Sequence, residues 1–238
     1  TFRRYLDIQK AEGQAREAKI EAALERVRSK AMAMNNSEDF VATIAAFYHE
    51  LSYLSHTPRR CGVGLIDKET RVTELSTLNT TDVGDSVEVI GKIKLEGHPV
   101  LVNIYNNWLS KNEYHPVLKG NEIKEYYKLI RPQISIPDYS NDQIQYGYFF
   151  YFNEGGVYTW TEKELTEDEL QIYRRFTSVL SLTHRRYLDL QEAEVRALEA
   201  VRQASLDRIR AEIASMRTTE DLNHITPIIW GELKTLKV

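Results

Sequence analysis

The apolar positions of the first 34 residues are sparse and regular. Ile20, Leu24, Val27, Ala31 and Met34 step 4-3-4-3 through a background of Ala, Glu, Arg, Gln and Lys. These are strong helix formers, no Pro interrupts them, and the spacing is the a/d seam of a coiled coil. A long helix is predicted, with a parallel partner helix on its stripe; packing of the stripe onto the chain's own domain is the alternative. Asn36 or Ser37 ends this helix and caps the next, in which Phe40, Ile44, Phe47, Leu51 and Leu54 form one apolar face that Pro58 terminates.

The period then changes from about 3.6 to 2. Arg60–Asp67 alternates as a strand with Cys61, Val63 and Leu65 on one face. Gly62 and Gly64 lie on the other, where a helix or ligand can approach closely. Residues 71–78 read as its hairpin partner through the turn at 67–70, and 86–95 as a third strand. Residues 98–109 read as a helix with Val100, Ile104, Tyr105 and Trp108 inward, 113–118 as a short strand, and 122–130 as a short helix ended by Pro132. Gln145–Asn153 is a strongly aromatic strand, turned by Gly155-Gly156 into 157–161. Thr166, with Glu167, Asp168 and Glu169 behind it, opens a last long helix. The predicted fold is therefore α+β: a mainly antiparallel sheet with the first and last helices on one face, extended at both ends as coiled-coil helices.

The last helix repeats the first. Residues 183–222 align without a gap on residues 1–40, an offset of 182 positions. About half of the pairs are identical, and such a fixed offset marks a repeated unit, here domain-sized. Arg3-Arg4-Tyr5-Leu6-Asp7 returns as Arg185-Arg186-Tyr187-Leu188-Asp189. The seam returns in broken form, with Leu198, Leu206, Ile209 and Ile213 as its core. The boundaries expected are a connector helix over 1–35, a globular domain over 36–182, a second connector helix over 183–217, and the start of a further repeat over 218–238.

A net charge of −4 with 42% hydrophobic residues adds little beyond a well-mixed globular chain. It supplies no basic patch for nucleic acid. No apolar run reaches the length of a membrane span, and the single cysteine, Cys61, excludes an internal disulfide framework. A cytoplasmic setting is expected, with no membrane contact by this segment.

No catalytic constellation stands out, so an enzymatic role is not expected of this segment. His49 and His56 share a spacing but no third metal ligand is near. Cys61 reads as an inert packing thiol, and Gly62-Val63-Gly64 lacks the following helix of a phosphate-binding turn. His184 has Arg185 and Arg186 beside it, against its reading as a phosphoacceptor. What is unusual is the tyrosine content of the middle, from Tyr105 to Tyr158. Tyrosine joins an apolar face to a hydroxyl, which suits a small-molecule pocket. The pocket is expected between the sheet face opposite the terminal helices and the segment 98–130, lined by Cys61, Val63, His98, Tyr105, Tyr127 and Tyr148.

The order of elements over about 36–187 resembles a GAF domain. The linker AREAKIEAALERVRSKAMAMNNSEDF resembles the signalling helices that join such units in bacterial sensor kinases and cyclases. The resemblance implies a sensory module of a multidomain signalling protein, a histidine kinase in the first instance. It implies a parallel homodimer that relays a small-molecule or partner signal to a downstream output domain. Neither the cyclic-nucleotide signature of that family nor its bilin-binding Cys-His pair is visible, so no cofactor is assigned. The alternative is a degenerate spacer of the same fold that dimerises and binds nothing.

Overall fold

The computed structural model describes residues 2–54, 58–81, 84–218 and 222–235. It divides into two compact units, Thr1–Arg186 and Tyr187–Val238.

The first unit opens with α1 (Phe2–Met32) and α2 (Asp39–Leu54). A strand pair follows, β1 (Arg60–Asp67) and β2 (Val72–Thr81), then β3 (Gly84–Lys94), α3 (Pro99–Ser110), β4 (Val117–Lys119) and α4 (Asn121–Ile130). The hairpin β5 (Ile144–Phe152) and β6 (Gly155–Thr161) leads into α5 (Glu167–Ser215). The six strands form one antiparallel sheet in the order β3-β2-β1-β6-β5-β4, so the first and last hairpins meet at its centre. The expected α+β class holds.

Local chemistry explains the boundaries. Asp67 Oδ1 accepts from the amides of Glu69 and Thr70, closing the first hairpin. His98 caps α3 by accepting the Val100 amide on Nδ1, and Pro99 supplies the preset φ of a first helical residue. Thr166 and Glu169 exchange side-chain and backbone bonds at the start of α5, a reciprocal cap. At Gly91 a Cβ would lie 2.4 Å from the Gln133 carbonyl; only glycine lets the segment after α4 run along β3, where the Ser135 amide reaches the Ile90 carbonyl.

Two apolar layers cover the sheet. On one face lie α1, α2 and α5, with Leu24, Phe47, Phe150 and Phe176 at 2% exposure or less. On the other lie α3 and α4, around Trp108, Ile123, Tyr127 and Trp160. Tyr48 of α2 is hydrogen-bonded into the sheet itself. Its hydroxyl accepts the Val63 amide and donates to the Ser76 carbonyl, each at 2.7 Å, beside a register shift between Leu75 and Ser76.

The predicted seam on the first helix requires a correction. Ile20, Leu24, Val27, Ala31 and Met34 are at most 6% exposed within the chain itself. Ile20, Leu24 and Val27 belong to the same core as Phe47 and Phe176. What covers the stripe is the chain's own α2, tied to α1 by Arg26 and Glu50, together with α5, which runs parallel to α1. Contacts climb both helices in step: Arg16 with Asp168, Glu17 and Glu21 with Arg175, and the Met34 carbonyl with Arg186 at 2.8 Å. Burying an Ile, Leu or Val contributes about 1.5–3 kcal/mol each, so this half of α1 is core rather than a free connector. From Leu6 to Lys19 the helix is exposed.

The second unit contains the distal part of α5 and α6 (Leu222–Thr235). Ser205, Ile225 and Glu232 are buried between them, and Arg208 pairs with Glu232. Along α5, Leu198 is 70% and Ile213 51% exposed, Leu206 is exposed and Ile209 half-buried. Among the described residues this second stripe is therefore largely exposed.

Candidate functional site

On the sheet face turned to α3 and α4, alternation presents Arg60, Gly64 and Ile66 of β1, Thr73 and Leu75 of β2, and Phe149 and Tyr151 of β5. Gly156, Tyr158 and Trp160 of β6 complete the floor, and Leu101, Ile104 and Tyr126 close over it from the helices. These groups enclose a cavity of about 40 Å³. A single water needs roughly 10–15 Å³, so a few waters or one small polar head group fit there. Gly64 and Gly156 are direct cross-strand partners beneath it. A Cβ at Gly64 would come within 2.8 Å of Thr73 Oγ1, so the bare backbone is what leaves room.

The chemistry of the cavity centres on Arg60. Its side chain is buried, with 9% exposure for the residue, and its guanidinium carbon lies 5.2 Å from the ring centres of Tyr127 and Trp160 and 5.6 Å from that of Tyr126. The Tyr127 ring is held in place by its hydroxyl, which donates to Gln145, itself donating to Asp142. The polar groups facing Arg60 are the phenols of Tyr126, Tyr127 and Tyr158. Among the described residues no carboxylate pairs with it, and its Nε and Nη2 are buried without an acceptor. The rings offset part of the desolvation of the charge. Each unmade hydrogen bond still costs about 1–3 kcal/mol. A second cavity-lining group, the Tyr151 hydroxyl, is also buried and unpartnered, and burial pushes its pKa well above the ordinary phenol value.

None of the six residues expected to line a pocket borders this cavity. Cys61 and Val63 of β1 and Tyr148 of β5 lie on the opposite face of the alternation and pack toward α2 and α5 instead. Tyr148 there receives the Leu165 amide on its hydroxyl. Tyr105 packs between α3 and the sheet, and its hydroxyl donates to the Lys68 carbonyl. Tyr127 supports Arg60 from behind without touching the cavity, and His98 lines a separate surface hollow with Glu122 and Glu125. The residues missed, Arg60 above all, were readable from the face that Gly62 and Gly64 define: the same face carries Arg60 and Ile66 two residues to either side.

The other candidates have structural roles. Burial pushes the Cys61 thiol up to about 12, leaving no thiolate at neutral pH. His184 is buried against the rings of Phe40 and Phe152, with Nδ1 3.6 Å from Glu154; burial pulls its pKa down and Glu154 partly opposes that. Among the described residues no group of three or more His, Cys, Asp or Glu side chains could hold a metal ion. His56, considered with His49, lies outside the described residues. No helix among the described residues is long and apolar enough to cross a membrane.

No protein-family model matches the sequence, and no curated protein does. Solved structures that resemble it include the bacteriophytochrome RpBphP3 from the photosynthetic bacterium R. palustris. That likeness has a TM-score of 0.46 and 9% identity, over 88% of this chain and 45% of that one. Another is the phycoerythrobilin-bound GAF domain of a cyanobacterial phytochrome, with a TM-score of 0.38 and 10% identity over 69% of this chain and 96% of that one. The chain thus spans less than half the length of the bacteriophytochrome. At these scores neither likeness carries the argument, which rests on the sheet, its two helical layers and the cavity.

Proposed function

We propose that residues 36–182 form a GAF-like sensory module that binds a small molecule between the sheet and the α3/α4 layer. The observation that carries this reading is the small cavity with a buried guanidinium on its wall that has no carboxylate partner among the described residues. A protein that needed only a core would gain by replacing such a group with an apolar one. The cavity admits no more than a head group, so a larger ligand must lift α3 or α4 from the sheet. Binding is then coupled to movement, because the ligand favours the opened arrangement over the closed one.

The signal would pass through the sheet. Strands β5 and β6 carry cavity residues on one face and, on the other, Phe150, stacked on Tyr173 of α5 with ring centres 5.6 Å apart. Helix α5 carries the exposed second stripe, which suits pairing with the same helix of another copy in a dimer. In this reading the chain is a regulatory, non-catalytic part of a multidomain bacterial signalling protein, a histidine kinase in the first instance, acting on an output domain in the same polypeptide. The cavity's small size favours the second reading, a spacer that binds nothing.

Thermal unfolding against a panel of small molecules separates the two. A true ligand raises the melting temperature of the wild type by linkage. It leaves unmoved Ile104→Phe, in which the cavity is filled. A panel with no stabilising member would support the spacer.

A further inference from the structure

The chemistry of the Arg60 edge narrows the ligand class. Nε and Nη2 form one side of the guanidinium fork, which matches the two oxygens of a carboxylate. The chain uses that edge in this way elsewhere. Arg26 binds both oxygens of Glu50 through Nε and Nη2, and Arg174 binds both oxygens of Glu113 through the same two atoms. At Arg60 these two atoms are buried and without an acceptor. The rest of the wall is apolar and aromatic, with Leu101, Ile104, Phe149 and Trp160 around the space.

We infer that the cavity takes a small organic carboxylate with an apolar body, its two oxygens held by Nε and Nη2 of Arg60 and its body against the underside of α3. This rests on the sensory reading above and deepens it. The anion pairs with a guanidinium that has no carboxylate partner among the described residues, and the apolar body displaces side chains of α3. Anchoring and helix movement are thereby joined in one ligand. A neutral molecule of the same shape would leave the guanidinium unpaired, and a bare inorganic anion would leave the helices where they are.

The test uses benzoate, its neutral isostere benzamide, and inorganic phosphate against the whole chain, read by thermal unfolding and calorimetry. Wild type should bind benzoate at least tenfold more tightly than benzamide or phosphate. Arg60→Met should lose that preference while unfolding at the same temperature or higher without ligand, because it removes an unpaired buried charge. Arg60→Lys, which keeps the charge and loses the fork, should weaken benzoate at least tenfold; it decides the matter should the Met variant fail to fold. Equal binding of benzoate and benzamide, unaffected by Arg60→Met, would overturn the carboxylate assignment and leave the pocket standing. Phosphate matching benzoate would overturn the apolar body. No binding of any probe by the wild type would overturn both the assignment and the pocket.

Discussion

Arg26 grips Glu50 through two hydrogen bonds of 2.6 Å, tying α1 to α2. Arg208 and Glu232, each 182 positions further along, form the corresponding pair between α5 and α6. The offset read from the sequence therefore recurs as a structural contact, and the second unit begins as the first does. Both carboxyls lie below their ordinary pKa, Glu50 through the side-chain hydrogen bond from Arg26, and Glu232 first through one from Ser205 and then through Arg208.

That depression gives the first prediction. A carboxyl with a lowered folded pKa contributes stability that is present above its unfolded value and is lost as pH falls through the folded one. Melting curves of the wild type should lose stability as the pH drops below about 4.3. Arg26→Met should lower stability at pH 7 and flatten that acid limb. In a double-mutant cycle with Glu50→Gln, a coupling indistinguishable from zero would show the pair to be incidental.

Leu24 and Leu206 are equivalent in the repeat but not in their surroundings. Leu24 is fully buried and Leu206 is 36% exposed. Leu24→Ala should cost about 2–5 kcal/mol in denaturant unfolding, independent of protein concentration, because it opens a cavity in the chain's own core. Leu206→Ala should cost far less in the same assay. A Leu24→Ala loss that vanished on raising protein concentration would restore the intermolecular seam at this position.

Tyr48 replaces a rung of the β1–β2 ladder with its hydroxyl. Tyr48→Phe leaves the Val63 amide and the Ser76 carbonyl without that partner at nearly unchanged volume. The expected loss is about 1–3 kcal/mol in urea unfolding, with m unchanged. A neutral result would mean that the strands close up and bond directly.

His184 should make stability fall with acid in a higher range. Its folded pKa is lowered by burial, so the unfolded chain binds the proton more tightly and stability drops as pH falls through about 6.5, the unfolded value. His98, also lowered by burial, acts in the same direction. His184→Gln should reduce the slope of melting temperature against pH between about 7 and 5. An unchanged slope would assign it elsewhere.

Much of this fold was legible because its periods are clean. The strand at 60–67 follows its period of two, the aromatic run at 145–152 forms the expected strand, and α3 has all four predicted inward residues buried. Two things were not. A 4-3-4-3 stripe looks the same whether its partner is another chain or another part of the same one; what decides it, the packing of α1 with α2 and α5, is a long-range arrangement. The cavity lining failed differently. Cys61 and Val63 suit a pocket by residue type, but Gly62 and Gly64 mark the opposite face as the one that something approaches. Arg60 drew no attention because a lone arginine at a strand start reads as a solvated end. Its burial depends on Tyr126, Tyr127 and Trp160, up to 100 positions away.

The most direct test maps where a ligand lands. Amide and aromatic NMR spectra of the wild type, titrated with benzoate, should change first at Arg60, Gly64, Tyr126, Tyr151 and Trp160, then at Tyr173 and Phe176 of α5 as the shift crosses the sheet. Saturating benzoate that leaves those cavity signals in place, or that perturbs only exposed residues, would contradict the account.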